Sequence, residues 1–376
     1  MNIPFSKAST VGNEIAYMQE AIESGQISGD GRFTKRCNAE LEKLIGCQKA
    51  LLTTSCTHAL ELSAILLNIQ PGDEVILPSF TFVSTINAFI LRGAVPIICD
   101  IRSDTLNIDE TQIESLITPR TRVIIPVHYA GVGCEMDRIM AIAQEYNLAV
   151  VEDNAHGLFG KYKGKNLGTF GIMGVQSFHG TKNLTCGEGG ALLINDSQLN
   201  ERAEIIREKG TNRSKFFRGE VDKYTWVDVG SSYLPSDILA SFLLAQLEMW
   251  QKIQAKRKHI WDTYNKNLKK WAEKNCVKQQ FVPTYCDQAY HEYYLIMPSL
   301  EQRQNFIENL KSHGVHAVFH YIPLHLSKMG RRYGSKPGDL PITEDLSERL
   351  VRLPMFYDLS DDMLDYVIDC VKKSTK

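Results

Sequence analysis

Lys182 stands in the stretch FGIMGVQSFHGTKNLTCGEGGALLI, residues 170–194, between an apolar run ending in Ser177-Phe178 and the turn Gly187-Glu188-Gly189-Gly190. A lysine amine is a weak nucleophile at neutral pH, because with a pKa of about 10.4 only roughly one in a few thousand is unprotonated. Burial or a neighbouring cation lowers that value, and the freed amine then condenses with an aldehyde to a Schiff base. An aldehyde cofactor that uses a lysine in this way is pyridoxal phosphate.

That cofactor makes three further demands on a sequence. Its pyridine nitrogen needs a carboxylate to stay protonated, and Asp153 at the end of LAVVED offers one. Its phosphate needs N–H groups at a helix start together with hydroxyls, which Ser55, Cys56 and Ser177 could provide. Its ring takes an aromatic partner on one face, and Phe82 is a candidate. Each residue alone has a plainer reading: Asp153 as a strand-end cap, TTSCT as an N-cap cluster, Phe82 as core, His156 and His179 as hydrogen-bonded structural histidines, Lys182 as a solvated charge. Their common place in the predicted fold is what joins them.

The elements that must position them are legible as alternation. KALLTTS, DEVILPS, VPIICDI, TRVIIPVHYA and LAVVEDNA read as strands, and the stretches between them carry apolar residues three and four apart, as helices do. The pattern predicts an α/β domain with a mostly parallel sheet covered on both faces. Ligands in such sheets bind beyond the carboxyl ends of the strands, where all the residues above fall. Residues 234–274 read as one or two long helices, and the chain beyond reads as a smaller α+β domain with strands in YHEYYLIM and VHAVFHY. The division is residues 1–250 for an N-terminal segment plus the large domain and 251–376 for the small C-terminal domain. The first 30 or so residues are expected to pack with the small one.

Composition narrows the function. Lys and Arg total 42 against 44 acids, so there is no positive excess to hold nucleic acid. No apolar window is long enough for a membrane span and the start has no signal-peptide pattern, which points to a cytoplasmic protein. Nine scattered cysteines without a C-x-x-C pair suggest neither a disulfide framework nor a metal site.

The stretch VVEDNAHGLFGKYKGKNLGTFGIMGVQSFHGTKNLTCGEGGALLI resembles the nucleotide-sugar aminotransferases of the DegT/DnrJ/EryC1/StrS family, pyridoxal phosphate enzymes of fold type I. The likeness runs from SGDGRFTKRC through LLTTSCTHALELSAILLNIQPGDEVILPSFTFVST and PVHYAG to FHYIPLH and RLPMFYDLS, nearly the whole chain. The resemblance implies that Lys182 carries the Schiff base and then moves a proton between substrate and cofactor. It implies that Asp153 pairs with the pyridine nitrogen, that His156 lies by the phenolic oxygen, and that Ser177 with the amides of Ser55 and Cys56 holds the phosphate while Phe82 stacks on the ring. It also implies an obligate homodimer with shared active sites. Ser232, in GSSY, stands where related enzymes reach across from the neighbouring subunit, often with Asn. Ser55-Cys56 replaces a common Gly-Thr, and Gly180 stands where close relatives have Glu. Relatives that dehydrate deoxysugars carry His at the lysine position, which sets them apart.

Within the family the resemblance is strongest to dTDP-4-keto-6-deoxyglucose 4-aminotransferases. That implies glutamate as amino donor, a dTDP-keto-sugar as acceptor, Lys209, Arg213 and Arg218 for the diphosphate, and His320 and Tyr321 for the sugar or nucleotide. Transfer to C3, a UDP-linked substrate and a cofactor-binding sensor without turnover remain alternatives at this stage.

Overall fold

The computed structural model describes residues 1–374. Among the described residues the strands are β1 (Lys49–Thr53), β2 (Glu74–Pro78), β3 (Val95–Cys99), β4 (Thr121–Ile124), β5 (Ala149–Asp153), β6 (Lys161–Tyr162), β7 (Lys165–Asn166), β8 (Met173–Ser177), β9 (Gly190–Ile194), β10 (Lys278–Gln279), β11 (Cys286–Asp287), β12 (Tyr293–Ile296) and β13 (Leu350–Leu353). The large sheet has the order β1-β9-β8-β5-β4-β2-β3. All its neighbours pair in parallel except β9, which runs antiparallel to both β1 and β8. The expected parallel α/β sheet is therefore present with one reversed strand.

Helices α1 (Glu14–Glu23), α2 (Arg32–Ile45), α3 (Cys56–Leu66), α4 (Ser84–Ile90), α5 (Glu110–Ile113), α6 (Met136–Glu145), α7 (Asn200–Arg207) and α8 (Arg213–Phe217) precede two long ones, α9 (Asp237–Glu248) and α10 (Trp250–Lys274). Because side chains alternate across a strand, the two sheet faces feed different cores. Leu51, Val75, Val151, Val175 and Leu192 pack on one face with apolar residues of α3, α4 and α7. On the other face Ala50, Leu52 and Leu193 meet α1, α2 and α9, while Ile76, Ile124 and Val150 meet α6.

The small domain is a three-stranded antiparallel sheet, β10-β12-β13, packed with α10, α11 (Leu300–Ser312) and α12 (Asp361–Lys373). The change of core falls inside α10: Ile253 packs with the large domain and Ile260 with the small one. Only the extreme N-terminus behaves as the sequence suggested. Ile3 bridges Val315 and lies in the small-domain core, whereas Ala21 of α1 packs in the large-domain cluster with residues of α9. The expected strand in VHAVFHY is reduced to isolated bridges at Val315 and Val318, since the chain turns away towards the large domain. There Leu324 N–H donates to the Ser79 carbonyl at 3.0 Å, and the buried His325 ring bridges Ser79 Oγ (2.6 Å) and Glu344 Oε1 (2.9 Å).

Candidate active site

Sheet register brings the chemistry to one edge. Thr53 of β1 is paired with Gly190 of β9, Gly190 with Ser177 of β8, and Val175 of β8 with Asp153 of β5. The segment 178–189 connects β8 to the reversed β9 and so stays above that edge. It is pinned by Phe178 N–H to the Gly189 carbonyl (2.8 Å) and Cys186 N–H to the Phe178 carbonyl (3.0 Å), and Lys182 N–H donates within it to the His179 carbonyl (2.9 Å). The Lys182 Nζ makes no hydrogen bond or ion pair among the described residues. Burial lowers its pKa, against the opposing pull of Cys56, Asp153 and Glu292. This is the condition a lysine needs to act as a nucleophile and proton carrier.

Asp153 is 6% exposed. Its Oδ2 accepts from Thr85 Oγ1 at 2.8 Å and its Oδ1 from Ala155 N–H at 3.2 Å. Burial raises its pKa, while the Thr85 and Ala155 hydrogen bonds and Lys182 work against that rise. A desolvated acid fixed by two donors suits a partner that shares a proton, such as a pyridinium N–H. The adjacent Glu152 has a different task. Its Oε1 accepts from Phe170 and Gly171 N–H (2.6 and 2.8 Å) and its Oε2 from Gly168 N–H (2.8 Å), with His128 Nε2 at 2.9 Å. Glu152 therefore ties the loop before β8 to the end of β5, and Asp153 faces the site.

Helix α3 begins at this edge. The Ser55 hydroxyl caps it by accepting from His58 N–H at 3.1 Å, which leaves the earlier amides of the turn for a ligand. Gly190 is the reason β9 can lie so close: a Cβ there would stand 2.3 Å from Cys56 N and 2.6 Å from the Ser55 carbonyl oxygen. Ser177 is buried and its hydroxyl accepts from His179 N–H at 3.4 Å.

An aromatic and histidine wall stands beside this edge. The His156 ring stacks on His291 (4.2 Å) and lies 5.9 Å from His320, which stacks on Tyr321 at 3.5 Å. Tyr321 Oη is 3.4 Å from His156 Nε2, and Tyr129 Oη is 2.8 Å from His320 Nδ1. Burial keeps His156 and His291 well below their ordinary pKa and takes His320 to about 4, so all three are neutral at pH 7. Phe82 stands at the rim, 57% exposed, with its ring 6.3 Å from that of Tyr321.

The chain thus brings Lys182, Asp153, Ser55, Cys56 and Ser177 to one edge of the sheet, with His156, His320 and Tyr321 in the ring wall beside it and Phe82 exposed next to Tyr321. The basic set and Ser232 form a separate group, reached through Tyr233, whose carbonyl accepts from Thr54 N–H (3.0 Å) just before α3. Lys209 and Ser232 are exposed, and the segments carrying them are joined by Lys209 N–H to the Ser231 carbonyl (2.9 Å) and by the bridge between Glu208 and Ser232. Arg213 pairs with Glu208, and Arg218 pairs with Glu204 (2.9 Å) and Glu220 (2.6 Å). Sequence reasoning missed Thr85, His291, Glu292 and Arg352. Thr85 was open to discovery one turn beyond Phe82, but the others are joined to the site only by tertiary packing.

These residues fit pyridoxal phosphate. An unpartnered amine, a buried carboxylate with room for a proton, and a helix start against which β9 packs without a side chain match the aldehyde, the ring nitrogen and the phosphate in turn.

The model of the DegT/DnrJ/EryC1/StrS aminotransferase family matches residues 9–372. The spore coat polysaccharide biosynthesis protein SpsC of Bacillus subtilis is 31% identical over 385 residues, covering 100% of this chain and 97% of that one. Among solved structures, the putative sugar aminotransferase Spr1654 from Streptococcus pneumoniae, in its PMP form, superposes with a TM-score of 0.92 at 28% identity over 99% of each chain. Helicobacter pylori PseC, an aminotransferase involved in the biosynthesis of pseudoaminic acid, superposes with a TM-score of 0.91 at 25% identity, over 100% of this chain and 99% of that one. The chain belongs to the DegT/DnrJ/EryC1/StrS aminotransferase family and is a pyridoxal-phosphate-dependent sugar aminotransferase of fold type I.

Proposed function

We propose that the enzyme transfers the amino group of glutamate to C4 of dTDP-4-keto-6-deoxyglucose, giving the axial, galacto-configured dTDP-4-amino-4,6-dideoxyhexose for a cell-surface glycan. The observation that supports an amine-transfer site is the free, half-buried Lys182 amine set against Asp153 and the start of α3. When bound, the cofactor supplies the aldehyde that takes up the donor's nitrogen and the cationic ring that stabilises the electron pair left when a substrate C–H bond breaks. Asp153 holds the proton on the ring nitrogen. Ser177 and the amides of Ser55 and Cys56 bind the phosphate, Phe82 covers the ring, and neutral His156 orients towards its oxygen. Lys182 removes the proton from the donor's α-carbon in one half-reaction and delivers one to the sugar carbon in the other, in ping-pong order.

The active unit in this reading is a homodimer with shared sites. Ser232, Lys209 and Arg213 lie on joined, exposed segments, so a chain that offers Ser232 to its partner's phosphate site brings the two cations with it. Phe217 and Trp226, 68% and 77% exposed beside them, are large apolar surfaces that an interface would cover. Lys209, Arg213 and Arg218 then serve the diphosphate, the arginines exchanging their carboxylate partners for it, and His320 and Tyr321 line the sugar pocket.

The test is incubation of the protein with cofactor, glutamate and dTDP-4-keto-6-deoxyglucose, followed by NMR of the product. An axial 4-amino group supports the whole reading, whereas an amino group at C3 or no sugar product refutes the assigned acceptor. Mixing Lys182→Ala and Ser232→Asp proteins tests the shared site: hybrid dimers regain activity only if one subunit completes the other's centre.

A further inference from the structure

The small-domain sheet turns one face to its own core and the other to the active site. Side chains alternate along β12, so Tyr293 and Leu295 enter the small-domain core while Tyr294 and Ile296 pack with Phe80 and Tyr129 of the large domain. On β13, Val351 and Leu353 face the core, and Arg352, the Cα partner of Tyr294, faces the other way. Glu292, two residues before Tyr294, falls on the same side as Arg352 and is 3% exposed. Its Oε2 accepts from Arg352 Nη1 at 3.0 Å, and its Oε1 lies 3.5 Å from His320 Nδ1.

Desolvating an ion pair is costly unless the pairing is complete, and here it is incomplete. Glu292 Oε1 and Arg352 Nε are buried without hydrogen-bond partners. What the pair does hold is the site wall: Arg352 Nη2 donates to the Phe319 carbonyl at 3.1 Å, directly before His320 and Tyr321, and Tyr321 sits at the unusual φ of 39°. The preceding segment is also tied to the neighbour of the reactive lysine, since Asn183 Nδ2 donates to the Ala289 carbonyl (2.7 Å) and Asn183 Oδ1 lies 2.9 Å from His291 Nδ1.

We propose that Glu292 and Arg352 are positioning residues that hold His320 and Tyr321 and set, from the small-domain side, the charge felt by the Lys182 amine. The inference rests on reading Lys182 as the reactive amine. Glu292 is faced by Arg352 and Tyr294 from the sheet, by His320 and Tyr321, by Tyr129 and His156 from the large domain, by His291 and Arg257, and by Lys182. Burial pushes the Glu292 carboxyl up, but His320 and Arg352 outweigh it and hold the group well below the usual carboxylate range. Arg352 is the partner that keeps its charge at neutral pH. At Lys182 the two act oppositely: Glu292 favours the protonated amine and Arg352, like burial, disfavours it.

That opposition is the test. In the holoenzyme the pH midpoint of the cofactor's visible band is measured, and in the apoenzyme the pH dependence of pyridoxal phosphate capture. Glu292→Gln is expected to move both midpoints down by about half a pH unit or more, and Arg352→Gln to move them up. Arg352→Lys keeps the charge and should restore the wild-type value, and the Glu292→Gln/Arg352→Gln protein should lie between the single variants. The sign is legible from the Arg352 variants alone if Glu292→Gln does not fold. Midpoints that stay put while melting temperature falls, or that move the same way in both single variants, would overturn the proposal and leave a structural tie. A Lys182→Ala protein that still forms the yellow complex would instead remove the assignment of the amine.

Discussion

Replacing Gly190 with alanine tests the phosphate site by steric means alone. The added methyl carbon would lie 2.3 Å from the Cys56 nitrogen and 2.4 Å from the Ser55 carbonyl carbon, where ordinary contact begins near 3.4 Å. Backbone, not a flexible side chain, is in the way, so β9 and the start of α3 must separate by about 1 Å, an overpacking that costs about 1–3 kcal/mol of stability. In the proposed site the same shift would withdraw the amides of Ser55 and Cys56 from a phosphate that Ser177 also holds. Hydrogen bonds to a charged group contribute about 1.5–3 kcal/mol each. Loss of one or two weakens cofactor binding on the order of 10- to 10,000-fold, at about 1.4 kcal/mol per factor of ten. Fluorescence titration of the apoenzyme with pyridoxal phosphate measures this, with circular dichroism confirming the fold. A folded Gly190→Ala protein that binds the cofactor as tightly as wild type would refute the assignment of these amides to the phosphate.

Lys182→Ala should lose the yellow complex and all transamination, and Asp153→Asn should retain some cofactor while losing most turnover; both are read from spectra and glutamate-dependent bleaching. Glu152→Gln places an amide against the N–H groups of Gly168, Phe170 and Gly171 and should destabilise the protein by about 3 kcal/mol, seen as a lower denaturation midpoint. Hydrogen bonds from Lys49 and Arg218 overcome the burial that raises the Glu204 pKa and leave it lowered. Its contribution should therefore be complete above the unfolded value of about 4.3 and fade as pH falls through the lower folded value. Glu204→Gln should flatten acid denaturation in that window, and an unchanged acid limb would remove the argument. Of nine free cysteines only Cys276 is exposed, so the native enzyme should show one fast-reacting thiol that Cys276→Ser abolishes.

Much of this site is legible in the sequence because strand ends in an α/β sheet are chemically marked. Asp153 closes an apolar strand, Ser55 caps a helix, and Ser177 ends the last parallel strand before the lysine loop. The reversal of β9 is not legible, since GALLI is apolar on both faces and carries no directional signal. The strand expected in VHAVFHY fails because pattern cannot tell a strand from an extended segment drawn off by tertiary hydrogen bonds, here to Ser79. Glu292 and Arg352 are hidden for a related reason. Alternation in HEYYLIM assigns Glu292 to the face opposite Tyr293, but only the packed structure reveals that this face looks into another domain.

The reversed strand also bears on how the enzyme is made. Thr53, Ser177 and Gly190 meet in one line of the sheet although five other strands of that sheet lie between β1 and β9 in sequence, so the pocket closes only after the most sequence-distant pairing of the large sheet has formed. Such non-local pairing is slow. A nascent chain therefore has no partial docking place for the cofactor, and the cofactor's binding energy falls on the finished domain as a whole. Vitamin supply would then govern the lifetime of the folded enzyme as well as its turnover, with cofactor-starved protein lost first to proteolysis.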